Sequence, residues 1–425
     1  MLSDIHFDPF TGTNPEIIQQ LATAPVEDWS RILESAGSQP LAPDGADANY
    51  ALLLSALEAA ANSNVHYDYI LVMGDFLGHN FSEKYRRYCR SDGEGYKDFV
   101  IKTMAFVSRT IQRVFPSIPV YAAFGNNDSL TTDYAPPGPQ LFAAMEKEWK
   151  VIARQPLAKR QFHAGGYYAV PHPTVPNFEF IVLNTAYWSS REDVSTAASE
   201  DSVELKWLDS QLDEARRTHK SAAILMHIPP GVDAYASSKP GQCAAPALFW
   251  KKPVLDSFLN IVGAHKDVLR DGYAGHTHID DFRIFTDASR MATFQVHIAP
   301  SISRDHHNAP GFEIGIYDKS SGAMVDYGAS YLMDSNGVST KPKWKLAYDF
   351  RQESHFPSYS PASLQTVALL IRSSETIRNH LMQLYGIHSA SALPIPMRDW
   401  RYYSCAQTEL EPAAYSSCAC PNEKN

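Results

Sequence analysis

Five short segments of this chain share one arrangement: a run of apolar residues that stops at a cluster of metal-seeking side chains. They are Asp4-x-His6, Gly74-Asp75 with His79 four residues on, Gly125-Asn126-Asn127-Asp128, His227-Ile228-Pro229-Pro230 and Gly275-His276-Thr277-His278. Groups placed just beyond the carboxyl ends of strands in an α/β sheet converge on one crevice. A lone His or Asp at a strand end is usually a turn former or a satisfied hydrogen-bonding group. Five such clusters at one topological place call for a common purpose. Carboxylate, amide oxygen and imidazole together bind borderline divalent ions. A pair of such ions about 3.5–4 Å apart can activate water and clamp a phosphorus centre.

The rest of the pattern agrees with a layered α/β fold. Strand-sized apolar runs lie at Tyr69–Met73, Val120–Phe124, Phe178–Leu183, Ala222–Met226, Phe294–Ile298 and Phe312–Tyr317. Between them, apolar spacing near 3.6 predicts helices over Ala46–Ala61, Tyr96–Phe115, Val203–Arg217 and Pro253–Gly263, with Ser202 placed to cap the third. Tyr134–Gly138 and Val232–Ala245 are rich in Pro, Gly and small polar residues and read as long loops. At 425 residues the chain exceeds one ordinary core. A catalytic domain over residues 1–345 is expected, followed by a small helical, cysteine-containing subdomain over 346–425. That subdomain has a helix at Ser363–Tyr385 and a Pro-punctuated stretch at Leu393–Met397.

A net charge of −10 argues against a nucleic-acid scaffold, because phosphate binding usually rests on surplus Lys and Arg. Bound divalent ions would reverse that field locally, so a phosphorylated substrate stays open. No apolar run approaches the ~20 residues that a transmembrane helix needs. No leader precedes the opening strand, which leaves a removed signal peptide and none at all equally open. Cys405, Cys418 and Cys420 crowd the C-terminus without zinc-finger spacing. A disulfide from Cys405 to Cys418 or Cys420 is expected, and with it an oxidising compartment. Five cysteines are an odd number, so at least one thiol stays free or pairs outside the chain. The sequons at Asn80 and Asn127 lie inside the proposed site and read as unused.

The order Asp-x-His, Gly-Asp, Gly-Asn-x-Asp, His after a strand and Gly-His-x-His resembles the calcineurin-like metallophosphoesterase superfamily. Leu2-Ser-Asp-Ile-His-Phe-Asp8, His227-Ile-Pro-Pro-Gly231, Gly275-His-Thr-His-Ile-Asp-Asp-Phe282 and Ala299-Pro-Ser301 are similar to the acid sphingomyelinase-like phosphodiesterase family. The resemblance implies a metallophosphoesterase sandwich, central sheets flanked by helices. It implies one divalent ion on Asp4, His6, Asp75 and His278, and a second on Asp75, Asn126, His227 and His276, with Asp75 bridging. Zinc suits the imidazole-rich set, with Mn or Fe as alternatives. Water between the ions would attack phosphorus, and His79 would protonate the leaving oxygen. Most members of the superfamily carry His where this chain has Asn127. An amide can orient a phosphoryl oxygen but cannot act as an acid, which places the acid role on His79. Asp128 is expected to support neighbouring backbone or a ligand histidine.

Three functions stay open on the sequence. The first is a phosphodiesterase acting on a phosphocholine-type lipid headgroup or a nucleotide derivative. The second is a phosphoanhydride hydrolase for nucleoside triphosphates or polyphosphate, and the third a metal-binding module without catalysis. Tyr134, Tyr187, Trp188, Tyr235, His306 and His307 are expected at the rim, and Arg304 could reach a terminal phosphate. A lipid substrate would need peripheral contact with a bilayer, through the helical appendage or through Ala245-Pro-Ala-Leu-Phe-Trp250. The expected location is secreted, periplasmic, or a lysosome- or vacuole-like lumen.

Overall fold

The computed structural model describes the chain apart from residues 38, 90–92, 192–199, 334–341, 387–394, 396 and 421–425. Ile70–Val72 (β1) and Val120–Ala122 (β2) pair in parallel, and Leu2 joins them through a parallel bridge to Val72. The opening segment runs along β1 and beyond it. Leu2 N–H donates to Leu71 O at 2.9 Å, Asp4 N–H to Gly74 O at 3.2 Å and His6 N–H to Asp75 O at 2.9 Å. The expected first strand is therefore a short bridge, and its hydrogen bonds carry Asp4 and His6 up beside Asp75.

A six-stranded sheet contains Tyr168–Pro171 (β3), Phe178–Val182 (β4), Ser221–Leu225 (β5), Leu269–Ala274 (β6), Asp281–Thr286 (β7) and Ala292–Ile298 (β8). Its order is β3-β4-β5-β6-β8-β7, and β4, β5, β6 and β8 run parallel while both edges are antiparallel. The central strands thus end on one side of the molecule, where an α/β sheet places its site. A three-stranded antiparallel sheet holds Gly311–Tyr317 (β9), Met324–Leu332 (β10) and Trp344–Asp349 (β11) in the order β11-β10-β9. Residue 346 lies inside β11.

Helices form where the apolar spacing predicts them, with shifted ends. The first begins at Tyr50 rather than Ala46, because the Asn49 side chain accepts the Leu52 N–H at 3.0 Å as an N-cap. Ala46 instead closes a turn, its N–H donating to Pro43 O at 3.2 Å, and Ala48 bridges to Phe7. The helix at Glu200–Arg217 starts before Ser202, which is a helical residue rather than its cap. The single helix expected across Ser363–Tyr385 is two, Pro361–Ser373 and Glu375–Gly386. Ser374 between them is extended, with φ −123° and ψ 115°, and its hydroxyl accepts the Ile377 N–H at 3.4 Å. Leu393–Met397 falls mostly outside the described residues.

The C-terminal helices dock on the sheet edge at β7: Ile284 N–H donates to Gln407 O at 2.8 Å, and the Gln407 amide reaches Asp281 at 2.9 Å. Cys405 pairs with Cys418, one of the two partners expected. Cys420 pairs with buried Cys243, a bond spanning 177 residues that ties the tail to the loop after β5. Cys89 is the free thiol. No helix among the described residues is long and apolar enough to cross a membrane.

Candidate metal centre

Asp4 and His6 follow the Leu2 bridge, Asp75 follows β1, Asn126 follows β2, His227 follows β5, and His276 and His278 follow β6. Two clusters result, Asp4 with His6 and His278, and Asp75 with His227 and His276, each with its ligand atoms within 4.8 Å of one another. His6 Nε2 lies 3.2 Å from His278 Nε2, which is 3.3 Å from Asp4 Oδ1. Asp75 Oδ2 stands 3.5 Å from His6 Nε2 and 3.2 Å from His227 Nε2, so it touches both clusters. Asn126 Oδ1 is 3.0 Å from the same His227 nitrogen. Four donors held about 2.0–2.2 Å from one zinc-like ion stand about 3.3–3.6 Å apart, and the separations here, 3.0–3.5 Å, lie at or just below that range.

Contacts behind the rings aim them. His6 Nδ1 donates to Leu77 O at 2.9 Å and His227 Nδ1 to Met73 O at 2.6 Å, while His278 Nδ1 faces Asp305 Oδ1 at 3.0 Å. Each ring then presents Nε2 inward, the arrangement by which outer partners orient ligand histidines. The Asn126 amide donates to Asp133 Oδ1 at 2.6 Å, which turns its oxygen to the centre. Asp4 Oδ1 is buried with no hydrogen-bond donor. A cation between these groups would satisfy an orphan oxygen and two lone pairs that otherwise face each other.

The charges say the same. Burial opposes protonation of His6 and His227, yet Asp4 and Asp75 outweigh it and hold both imidazoles up at about 9. The carboxylates draw positive charge, and a divalent ion supplies it in place of protons. His276 is pushed down to about 3, first by burial and then by His227, so it stands as a neutral imidazole, the form able to ligate a metal.

The backbone is bent to make this convergence. Asp4, His6, Asp75, His276 and His278 all have positive φ, between 43° and 72°. Side chains other than Gly rarely adopt that region, and it clusters at functional sites. Two glycines allow the crowding. A Cβ on Gly125 would collide with Asp75, and one on Gly275 with Ser3 and Asp4.

His79 stacks on His6, ring centroids 4.1 Å apart. Its Nδ1 is 2.8 Å from Asp47 Oδ1, and its backbone N–H donates to Asp47 Oδ2 at 2.8 Å. Asp47 thus holds the ring through Nδ1 and not through Nε2. The Asn127 side chain, expected to face a phosphoryl oxygen, donates instead to Asp75 Oδ2 at 2.9 Å. Asp128 takes the expected supporting place: it accepts from the backbone N–H groups of Phe76, Leu77 and Gly125. Buried Asn127 offers no room for a glycan.

A cavity of about 630 Å³ opens over the centre, and Tyr134, Tyr235, His306 and His307 line it as expected. Tyr187 and Trp188 do not; they are buried at 4% and 0% exposure, filling the core under the loop. Arg304 is buried too, with its guanidinium on Ala42 O at 3.0 Å, so it does not reach a substrate phosphate. Arg191 takes the exposed position in its stead, 5.5 Å from the Tyr134 ring centroid and 3.2 Å from Asp233. In the Ala245–Trp250 segment, Trp250 is buried, its indole N–H donating to Ile228 O at 3.1 Å, and half-buried Phe249 lines the cavity. The sequence reading missed Asp47, Asp133, Asp305 and Arg191. A signal existed for Asp305 alone, which follows the recognised strand β8.

The family model for calcineurin-like phosphoesterases matches residues 1–280. Human acid sphingomyelinase-like phosphodiesterase 3b is 23% identical over 98% of this chain and 89% of its own length. Human cyclic GMP-AMP phosphodiesterase SMPDL3A is 22% identical over 98% of this chain and 88% of its own. Sphingomyelin phosphodiesterase 2 of Caenorhabditis elegans is 25% identical over 90% of this chain and 64% of its own. Among solved structures, a dimetal phosphatase from Danio rerio is similar at 13% identity and a TM-score of 0.40, covering 81% of this chain and 97% of that one. The chain belongs to the calcineurin-like phosphoesterase family and hydrolyses phosphoric esters with two divalent metal ions.

Proposed function

We propose that the chain is a phosphodiester hydrolase acting on a small nucleotide-type diester. Asp4, His6, Asp75 and His278 hold one ion, and Asp75, Asn126, His227 and His276 the other. The observation that carries this is the contact of Asp75 Oδ2 with both His6 and His227, one carboxylate oxygen shared between two ligand sets. Zinc is the preferred occupant, because imidazole nitrogens dominate both sets. Two such ions, when bound, polarise the phosphoryl group and make water nucleophilic near neutral pH. The protein's own groups do the remainder. Asn127 and the backbone orient Asp75, and Asp47 holds His79 so that its free nitrogen can give a proton to the departing alkoxide.

The cavity volume suits a ligand of small-molecule size. Names among the relatives point two ways, to cyclic GMP-AMP and to sphingomyelin. Arg191 favours the first. Its guanidinium already lies against Tyr134, the ring that would otherwise receive a trimethylammonium group. A guanidinium there repels choline and can pair with a second phosphate or a base edge. Two disulfides support a secreted or lumenal location, where oxidising conditions keep them intact.

Hydrolysis of bis(4-nitrophenyl) phosphate, 4-nitrophenyl phosphate, a cyclic dinucleotide, phosphocholine esters, ATP and polyphosphate tests the reading. Turnover of the diester and the dinucleotide is expected to lead. Cleavage of the monoester alone would overturn it, and preference for phosphocholine esters would overturn the role given to Arg191.

A further inference from the structure

Beside the dinuclear centre, a second group of histidine and carboxylate side chains faces the same cavity: His79, Asp305 and His306. His79 Nδ1 is 3.3 Å from Asp305 Oδ2, and His306 Nε2 is 3.4 Å from the same oxygen. Both distances exceed a normal N–H···O hydrogen bond of about 2.7–3.2 Å. They equal the edge of a tetrahedron of donors about 2.0–2.1 Å from a central zinc-like ion. The ligand contacts of the main centre show the same spacing, 3.3 Å between His278 and Asp4 and 3.2 Å between Asp75 and His227.

We infer that His79, Asp305 and His306 form a third divalent-cation site, weaker than the first two, whose filling inhibits the enzyme. The inference rests on the reading of His79 as the proton donor. Three features make the site weaker than its neighbours. It has two imidazoles and one carboxylate, His306 is 62% exposed, and Asp305 is already engaged through its other oxygen with His278. Occupation also displaces the proton on His79 Nδ1 that Asp47 accepts at 2.8 Å, and that proton leaves to solvent. Asp47 then lies beside the ion as a further negative charge. The ring becomes locked as a ligand and no longer serves the leaving oxygen. The chemistry of the occupant is that of zinc, cobalt or another ion that accepts nitrogen donors; magnesium and calcium prefer oxygen.

Cobalt(II) titration of the chelator-treated full chain, followed by its visible absorption and by equilibrium dialysis, reads the site directly. Wild type is expected to bind two equivalents and then a weaker third, and His306→Ala to lose the third alone. In parallel, hydrolysis of an alkyl diester is followed as free zinc rises past two equivalents. Turnover is expected to fall by roughly 10²-fold or more, the scale of a lost general acid. The loss should be much smaller for His306→Ala. Two equivalents that are both retained in His306→Ala, or a third that survives His306→Ala, overturn the site. A third equivalent bound without loss of turnover overturns the inhibition and the acid role of His79. If His306→Ala removes a weak equivalent from a total of only two, the third site stands and the dinuclear reading falls.

Discussion

Asn127 grips Asp75 with two donors: its backbone N–H reaches Oδ1 at 2.8 Å and its side-chain amide reaches Oδ2 at 2.9 Å. Oδ2 is also the atom nearest to His6 and His227, so the amide fixes the direction of the oxygen proposed to bridge the ions. Asn127→Ala removes the second donor and leaves the first. Outer partners of metal ligands typically govern about 10–100-fold in affinity or activity. The expected result is a loss of that size in turnover, with faster escape of metal into a chelator. Unchanged metal retention would show that the backbone bond alone positions Asp75.

Metal removal should weaken the fold as well as stop the reaction. Asp4, His6, Asp75, His276 and His278 are held with positive φ, and each such residue costs on the order of 1–3 kcal/mol unless its surroundings enforce it. Ions bound only to the native state supply that enforcement and stabilise by mass action. Dialysis against a chelator is expected to lower the melting temperature by several degrees, and zinc to restore it. A melting temperature indifferent to chelation would mean that the backbone bends without help from metal.

His79 should matter in proportion to how badly the leaving group needs a proton. His79→Ala is expected to cost about 10²–10⁴-fold on an alkyl diester and much less on nitrophenyl esters. Asp47 acts through His79, since it holds both the ring nitrogen and the backbone N–H. Asp47→Asn should reproduce the leaving-group dependence in weaker form. Equal losses on both ester types would remove His79 from proton transfer.

Most of the proposed ligand set was legible because its members abut apolar runs, and those runs are β1, β2 and β5 or their immediate extensions. The strand before His276 was not. Leu269–Ala274 contains Asp271 and Gly272, which break any apolar pattern; Asp271 is buried all the same, on the Gln295 amide and the Met324 N–H. Asp47 was hidden by a helical pattern that continues through Ala46, which only the Asn49 cap interrupts. Asp133 acts through Asn126 from a loop with no strand before it. The bond between Cys243 and Cys420 joins positions 177 residues apart, a pairing that spacing along a chain does not encode.

Away from the metal centre, His172 gives the fold a sensitivity to acid. Its Nδ1 accepts two backbone N–H groups, from Val175 at 3.0 Å and Thr174 at 3.2 Å, so it must carry a lone pair there. The ring is 6% exposed and packs among Tyr69, Phe178, Phe180 and Tyr317. Burial pushes it down to about 4. Between that value and about 6.5 the unfolded chain binds a proton that the native ring refuses, so stability falls as pH falls through this window. The contribution is roughly 1–2 kcal/mol at pH 5 and vanishes above pH 7. His172→Asn keeps an acceptor at the Nδ1 position and removes the titration. Thermal melts at pH 7 and pH 5 are expected to show a lower melting temperature for the variant at pH 7, from lost ring packing, but a smaller drop on going to pH 5. An equal drop in both proteins would place the acid sensitivity elsewhere.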